Sequence, residues 1–405
     1  MISAGLITVI LVSLVKCAAI VGLVLFMVAY SVVAERRFSA MIQDRIGPNR
    51  VGPLGLLQPI CDGVKFLLKE EYTPEHVRKL YFTMAPIISM VPALLTVSIV
   101  PFGDVLNLRP FVEWLVTNSF TQWLLGLFSW SITLNEEVLE AFVVPLTIAD
   151  LNVGVLFFFA IVSISVYGIV LAGWASNSKF PFLGGIRASA QMISYELTMG
   201  LSVVPVFLVV SELNLGEIIS FQQTNGWLAF PLINLLNPAD FFNFSNVSLK
   251  SIVLSVPLFI TFVYFLISAF AETNRLPFDL AECETELVGG YHTEYASMKF
   301  ALFFLGEYAA MIVSSCIMVT LFFGGWYFPG METLGDAWWV GLLQVFVFIA
   351  KMACFMFIFI WVRWTLPRFR YDQLMNLGWK VFIPLAFLNV FLTAILVAIP
   401  DSVWS

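Results

Sequence analysis

Apolar residues in this chain come in long, nearly unbroken blocks. Eight blocks stand out, at residues 6–34, 80–103, 151–175, 192–216, 251–270, 298–323, 339–362 and 380–400. A helix needs roughly 20 mostly apolar residues to cross the hydrocarbon core of a bilayer, so each block predicts a transmembrane helix. Pro86, Pro92, Gly200 and Pro205 interrupt some of them, which a bundle tolerates because neighbouring helices satisfy the freed backbone groups. The first block is too long for a signal-peptide core and no basic stretch precedes it, so it reads as an uncleaved membrane helix. Residues 54–70 follow a different pattern. Leu57, Ile60, Cys61, Val64, Leu67 and Leu68 fall on one helical face, and Gln58, Asp62, Lys65 and Lys69 on another. This predicts an amphipathic helix lying at the membrane surface, either a simple anchor or the lip of a lipid-facing entrance. The run GPNRVGP at 47–53 before it signals a rigid turn. The predicted fold class is an all-α polytopic membrane protein: a single membrane domain over 1–405, with eight transmembrane helices and one interfacial amphipathic helix.

Composition reinforces the pattern. The chain is 60% hydrophobic and 12% charged, about half the charged fraction of a soluble domain. Its formal net charge of -7 argues against nucleic-acid binding, which needs a basic face. Basic residues are distributed unevenly. Sixteen of the 20 Lys and Arg lie in the loops after the first, third, fifth and seventh spans, whereas the opposite side has only Arg109 and Lys250. The positive-inside rule then puts those loops on the cytoplasmic or matrix side and both termini on the outer side. The outer stretches 104–150 and 217–250 hold Trp114, Trp123, Trp130 and Trp227 and read as interfacial helices anchored by aromatic rings. Cys17, Cys61, Cys283, Cys316 and Cys354 are scattered, without a CxxC, so no zinc site, iron–sulfur cluster or disulfide framework is expected. His76 and His292 both lie in polar segments, so no bis-His haem is expected within the spans.

The candidate chemistry lies among the charges at the inner loops and inside the spans. The loop 271–299 carries Glu272, Asp279, Glu282, Glu284, Glu286 and Glu294 against Arg275 and Lys299. It is either a solvated face or, given the interleaved Leu276-Pro277-Phe278, Leu280-Ala281 and Leu287-Val288, a partly buried loop. Buried neighbouring carboxylates cannot all ionise at neutral pH, which suits proton relay. Glu35 and Arg36 are expected to end the first helix. Glu196, Glu307 and Lys351 fall inside spans, where a central charge costs on the order of 3 kcal/mol and faces the bundle interior. These three fit a functional relay or a structural ion pair. Lys16 can snorkel outward and receives no role.

Six segments in order, AERR (34–37), QDRIGPNRVGPLGLLQPICDGVKFLLKE (43–70), ADLNVGVLF (149–157), GWASNSKFPFLGGIRASAQMISYE (173–196), ETNRLPFDLAECETELVGGYHTEY (272–295) and RWTLPRFRYDQLMNLGWK (363–380), resemble one family. It is the membrane subunit of respiratory complex I known as NADH dehydrogenase subunit 1, called the H subunit in bacteria. The resemblance implies a quinone entrance and chamber involving Glu35, Arg36, Arg45, Asp62 and Lys65. It also implies the start of a proton or charge path through Arg187, Glu196, Arg275, Asp279, Glu282, Glu284, Glu286, Glu294, Glu307 and Lys351. It further implies a proton-pumping NADH:quinone oxidoreductase with no complete catalytic site on this chain alone. Ubiquinone or menaquinone would be the substrate, while NADH, flavin and iron–sulfur clusters would reside in partner subunits. The implied partners are iron–sulfur peripheral-arm subunits, small membrane subunits and membrane lipids, and the implied location is a bacterial cytoplasmic membrane rather than the mitochondrial inner membrane. The outer stretches are longer than the family pattern leads one to expect. Two other readings differ in kind: the equivalent subunit of a membrane-bound hydrogenase or ferredoxin-driven complex, and an ion-linked secondary transporter. Transporters often show inverted repeats, and none is visible here.

Overall fold

The computed structural model describes residues 4–118, 139–229, 249–279, 289–328, 330–331, 335 and 337–400. Among them, eight helical paths are long and apolar enough to cross a membrane. They are α1 (Ala4–Ile42), α3 (Lys79–Thr96), α5 (Gly154–Ala175), α6 (Lys179–Val210), α8 (Leu249–Glu272), α9 (Ser297–Phe322), α10 (Trp338–Thr365) and the pair α11 (Tyr371–Asn376) and α12 (Ile383–Ala398), joined by a π-helical turn, Leu377–Phe382. α2 (Gln58–Leu68), α4 (Arg109–Thr117) and α7 (Leu215–Asn225) are too short to cross. The burial pattern explains the arrangement. α9 is buried without a break from Met311 to Phe322, as expected of a helix that is apolar all round and sits at the centre of a bundle. α3 packs most extensively on α5, α5 on α6, α6 on α8 and α12, and α9 on α3 and α10. Outer helices keep large apolar residues such as Phe387 and Phe391 exposed, which is stable where the solvent is lipid.

Four expectations need correction. α1 continues to Ile42, so Glu35 and Arg36 lie about two turns inside the helix rather than at its end. α6 begins at Lys179, well before the block at 192, and stops at Val210. Its first turns contain Gly184 and Gly185, which give little hydropathy signal yet let other backbone segments approach closely. The last helical path starts at Tyr371, well before the block at 380. Finally, the outer stretch 104–150 is not purely helical. Val105–Asn107 and Val143–Pro145 pair antiparallel, giving the backbone at that edge hydrogen-bond partners, with α4 between them. Residues 119–138 and 230–248, with Trp123 and Trp130, lie outside the described residues.

The ends of the helices gather into two groups. At the basic end, Arg78 N–H donates to Ala175 O, Ser297 Oγ to Phe66 O and Lys69 O, and Phe369 N–H to Pro277 O. At the opposite end, Asp104 N–H donates to Gln344 and Ala229 N–H to Phe322 O.

Candidate functional site

The basic end holds a buried charge cluster drawn from four elements. α1 supplies Glu35, α9 supplies Glu307 and Tyr308, α10 supplies Arg363 in its last turn, and the turn after α8 supplies Arg275. Arg275 Nη1 lies 3.4 Å from both Glu35 oxygens, and its Nε pairs with Glu307. Arg363 Nη1 pairs with Glu35 Oε1. The Tyr308 hydroxyl donates to Glu35 at 2.7 Å, and the Arg275 guanidinium stacks 4.4 Å from the Tyr308 ring centre. Two carboxylates and two guanidiniums thus balance in charge. Burial works against a charged Arg275, but Glu307, then Tyr308 and Glu35, more than offset it and hold its pKa above the ordinary arginine value. Asp279 pairs separately with Arg368 at 3.0 Å.

The cluster opens on a cavity of about 50 Å³ between α3, α5, α6, α8 and α9. Glu307 and Glu272 both line it, with Ser89, Thr96, Ser165 and Ser314 among the polar groups. Glu272 is buried, and its Oε2 has no hydrogen-bond partner among the described residues. Met192 and Val162 line the same cavity, and Glu196 lies one turn beyond Met192 on α6. Glu196 in turn accepts a hydrogen bond from Ser163 Oγ on α5. Beside it, the Tyr195 hydroxyl donates to Leu374 O at 3.0 Å and Trp379 Nε1 to Ser194 Oγ at 3.0 Å. The tripeptide Ser194-Tyr195-Glu196 therefore ties α6 to α5 and to the π-helical turn.

α2 leaves the bundle with its apolar face outward. Ile60, Leu67 and Leu68 are 63%, 67% and 81% exposed, while Asp62 turns inward to Arg36 on α1 at 2.6 Å and is also held by Gln58 at 2.9 Å. Gly55 sets the entry to this helix. Its φ of 72° is left-handed, and a Cβ there would collide with the Pro48 carbonyl. The Arg37 guanidinium bonds Leu54 O in the same turn.

Other candidate residues sit apart. Arg45 is exposed and bonds Gln43 at 2.7 Å, and Lys65 is exposed. Arg187 is exposed, 5.9 Å over the Tyr371 ring, and Glu294 is half-buried. Glu282, Glu284 and Glu286 lie outside the described residues. Lys351 does not join the carboxylates. Its Nζ donates to the carbonyl oxygens of Phe323, Gly325 and Tyr327 at 2.7, 2.9 and 2.7 Å, clamping the turn after α9, and lies 4.8 Å over the Trp227 ring. It is twelve residues from Arg363, about 18 Å along α10. Lys16 bonds Thr147 O at 2.8 Å, facing the stretch that carries the outer strands. Glu272, Tyr308, Arg363 and Arg368 had no site role on sequence grounds. Glu272 is one of six acids in that loop, and nothing local in the sequence tells which of them, or which tyrosine or arginine, the fold brings to the cluster.

Comparison with known proteins adds a family. The sequence profile described as NADH dehydrogenase matches residues 15–394. The first of the H subunits of NADH-quinone oxidoreductase in Cytophaga hutchinsonii is 44% identical over 377 residues, covering 93% of this chain and 93% of that protein. The second such H subunit of Koribacter versatilis is 44% identical over 389 residues, covering 96% and 98%. The NADH-quinone oxidoreductase H subunit of Flavobacterium psychrophilum is 42% identical over 380 residues, covering 93% and 94%.

Proposed function

The chain belongs to the NADH dehydrogenase family, and from that premise we propose that it is the H-type membrane subunit of a bacterial NADH-quinone oxidoreductase. In this reading it builds the membrane half of the quinone chamber and the first stage of the proton path. The buried cluster Glu35–Arg275–Glu307–Arg363, opening on a cavity shared with Glu272, is the observation that carries it. The quinone, ubiquinone or menaquinone, enters from the bilayer beside α1 and α2. The outward apolar face of α2 and the Arg36–Asp62 pair support this entrance. Electrons reach the quinone from an iron–sulfur cluster of a peripheral-arm partner, and NADH and flavin act further upstream in partner subunits. The basic loops face the cytoplasm and both termini face outward.

The geometry supports a coupling mechanism. Quinone reduction takes two electrons and two protons, so drawing protons from nearby donors leaves negative charge beside Arg275 and Arg363. Each guanidinium is shared with Glu35, and Arg275 also with Glu307. A change in their pairing therefore alters the field on Glu307, then across the cavity on Glu272. Glu196, one turn beyond the cavity-lining Met192, is the next carboxylate on this path. Asp279 with Arg368, and Glu282, Glu284, Glu286 and Glu294 in the same acidic loop, would feed the start of this path.

Glu196→Gln and Glu272→Gln in the intact complex, reconstituted in vesicles, test the proposal. The expected result is fewer protons translocated per electron, or slower quinone-linked turnover. NADH oxidation by an artificial acceptor, drawn upstream of the quinone, serves as the assembly control. Parental pumping in both variants would overturn the assigned path.

A further inference from the structure

The turn after α8 sends Glu272, Arg275 and Asp279 in three directions, and one buried side chain grips both of its ends. Gln191 on α6 is 1% exposed. Its Nε2 donates to Ala271 O at 2.8 Å, to Phe278 O at 2.9 Å and to Asn274 Oδ1 at 3.1 Å. Ala271 immediately precedes Glu272, and Phe278 immediately precedes Asp279. An amide nitrogen has two hydrogens, so three acceptors share them, and the side chain is committed to this turn. The turn also needs holding. Asn274 adopts a φ of 49°, a left-handed conformation that costs a non-glycine residue energy and persists only when its surroundings enforce it. Without the amide, buried carbonyl oxygens at both ends of the turn would lose a donor.

We propose that Gln191 is a positioning residue for coupling. It holds Glu272 against the cavity while holding Arg275 against Glu35 and Glu307, so that a charge change at one set is felt by the other. Gln191 touches neither the quinone nor a transferred proton and acts only through the turn. The inference rests on the proton path proposed above.

The test uses the intact complex purified from its own membranes and reconstituted in vesicles, carrying Gln191→Met, which keeps length and removes both donors. Four quantities are read: the quinone KM, quinone-linked turnover, protons translocated per electron, and the same quantities in a Glu196→Gln background. The expected result is a KM within about two-fold of the parent, with a several-fold loss of turnover or of protons per electron. In the Glu196→Gln background the second substitution should add little, because both act on one route. Parental turnover and stoichiometry in Gln191→Met, or losses that add in full in the double variant, would overturn the proposal. Should Gln191→Met fail to assemble, Gln191→Glu replaces it. A protonated carboxyl there can donate one bond, so protons per electron should recover as pH falls, and a pH-independent ratio would overturn the proposal. Failure of both variants to assemble would make Gln191 a folding residue and equally overturn it. The two readings separate cleanly. Glu196→Gln and Glu272→Gln complexes that both pump normally break the proton path, whereas a defective Glu196→Gln beside a normal Gln191→Met breaks only the role of Gln191.

Discussion

Glu35 accepts from Arg275, Arg363 and Tyr308 at once, and these contacts are unequal in consequence. Removing one partner of a buried ion pair leaves an uncompensated charge and costs about 3–5 kcal/mol. Losing a neutral donor costs about 1–3 kcal/mol. Arg363→Met should therefore lower the thermal stability of the complex and its quinone reductase rate more than Tyr308→Phe does. The reverse order, measured in parallel melts and rates, would mean that the tyrosine rather than the second arginine holds the carboxylate. His292 shows the opposite logic, a titratable group kept neutral. It lies among Tyr291, Phe300 and Phe304, and burial pushes its imidazole from 6.5 down to about 4. The unfolded segment takes up a proton that the folded one refuses. The contribution of His292 is thus fully present above about pH 6.5 and is lost as pH falls towards 4, a change on the order of 3 kcal/mol. Hydrogen-exchange protection of 289–296 should fall over that window. His292→Phe should flatten the dependence, and an unchanged pH profile in that variant would assign the effect to another group.

At the scale of the element, α2 and the start of α6 carry separate tasks. The Arg36–Asp62 pair is partly exposed, with side-chain exposures of 49% and 25%, and such pairs contribute roughly 0.2–1 kcal/mol. Asp62→Ala should leave the stability of the complex nearly unchanged. With the proposed entrance, it should raise the KM for a long-tailed quinone more than for a short-tailed one, since only the long tail would pass along the α2 face. Equal effects on both quinones would argue against an entrance there. Gly184 serves packing. A Cβ built on it meets the carbonyl carbon of Gly290 and the nitrogen of Tyr291 at 2.7 Å, and neither backbone atom can move without shifting the turn that holds His292. Gly184→Ala should destabilise by about 1–3 kcal/mol, and Gly184→Leu by more, read as loss of assembled complex on native gels. A fully assembled Gly184→Leu complex would show that α6 and this turn do not meet so closely.

The whole molecule separates into a charged, basic end and an apolar bundle closed at its far end by the small ladder and α7. Orientation in the membrane belongs to this scale. The basic loops predict that a single cysteine at position 50 reacts with a membrane-impermeant reagent from the cytoplasmic side. A cysteine at 113 or 217 should react from the outside. Labelling of position 50 only from outside would invert the topology and overturn the proposed placement of the quinone chamber at the cytoplasmic end.

How much could be read in advance depended on the range of the interaction concerned. Crossing a bilayer is a local, additive requirement: a run of side chains either is apolar over roughly 20 residues or is not. The eight spans, the amphipathic Gln58–Leu68 and the uneven basic loops were therefore legible in the sequence, and the family followed from six ordered segments. Helix ends were less legible. Gly184 and Gly185 add little hydropathy, and what buries them is backbone of other elements, Gly290 and Tyr291 against Gly184 and Ile169 and Gly173 against Gly185. Glu35, Glu307, Arg275 and Arg363 are separated by up to 328 residues, and nothing in their local sequence says which carboxylate meets which guanidinium. Lys351 illustrates the same limit from the other side. As an intramembrane charge it resembles Glu196 and Glu307, yet its three donors go to backbone carbonyls at the far end of α10. Sequence determined which residues must leave water for the bilayer, because that depends on each side chain and its near neighbours. Only the tertiary structure decided which buried charges neutralise one another, because a charge in a low-dielectric interior is stabilised by whatever the fold brings within a few ångströms of it.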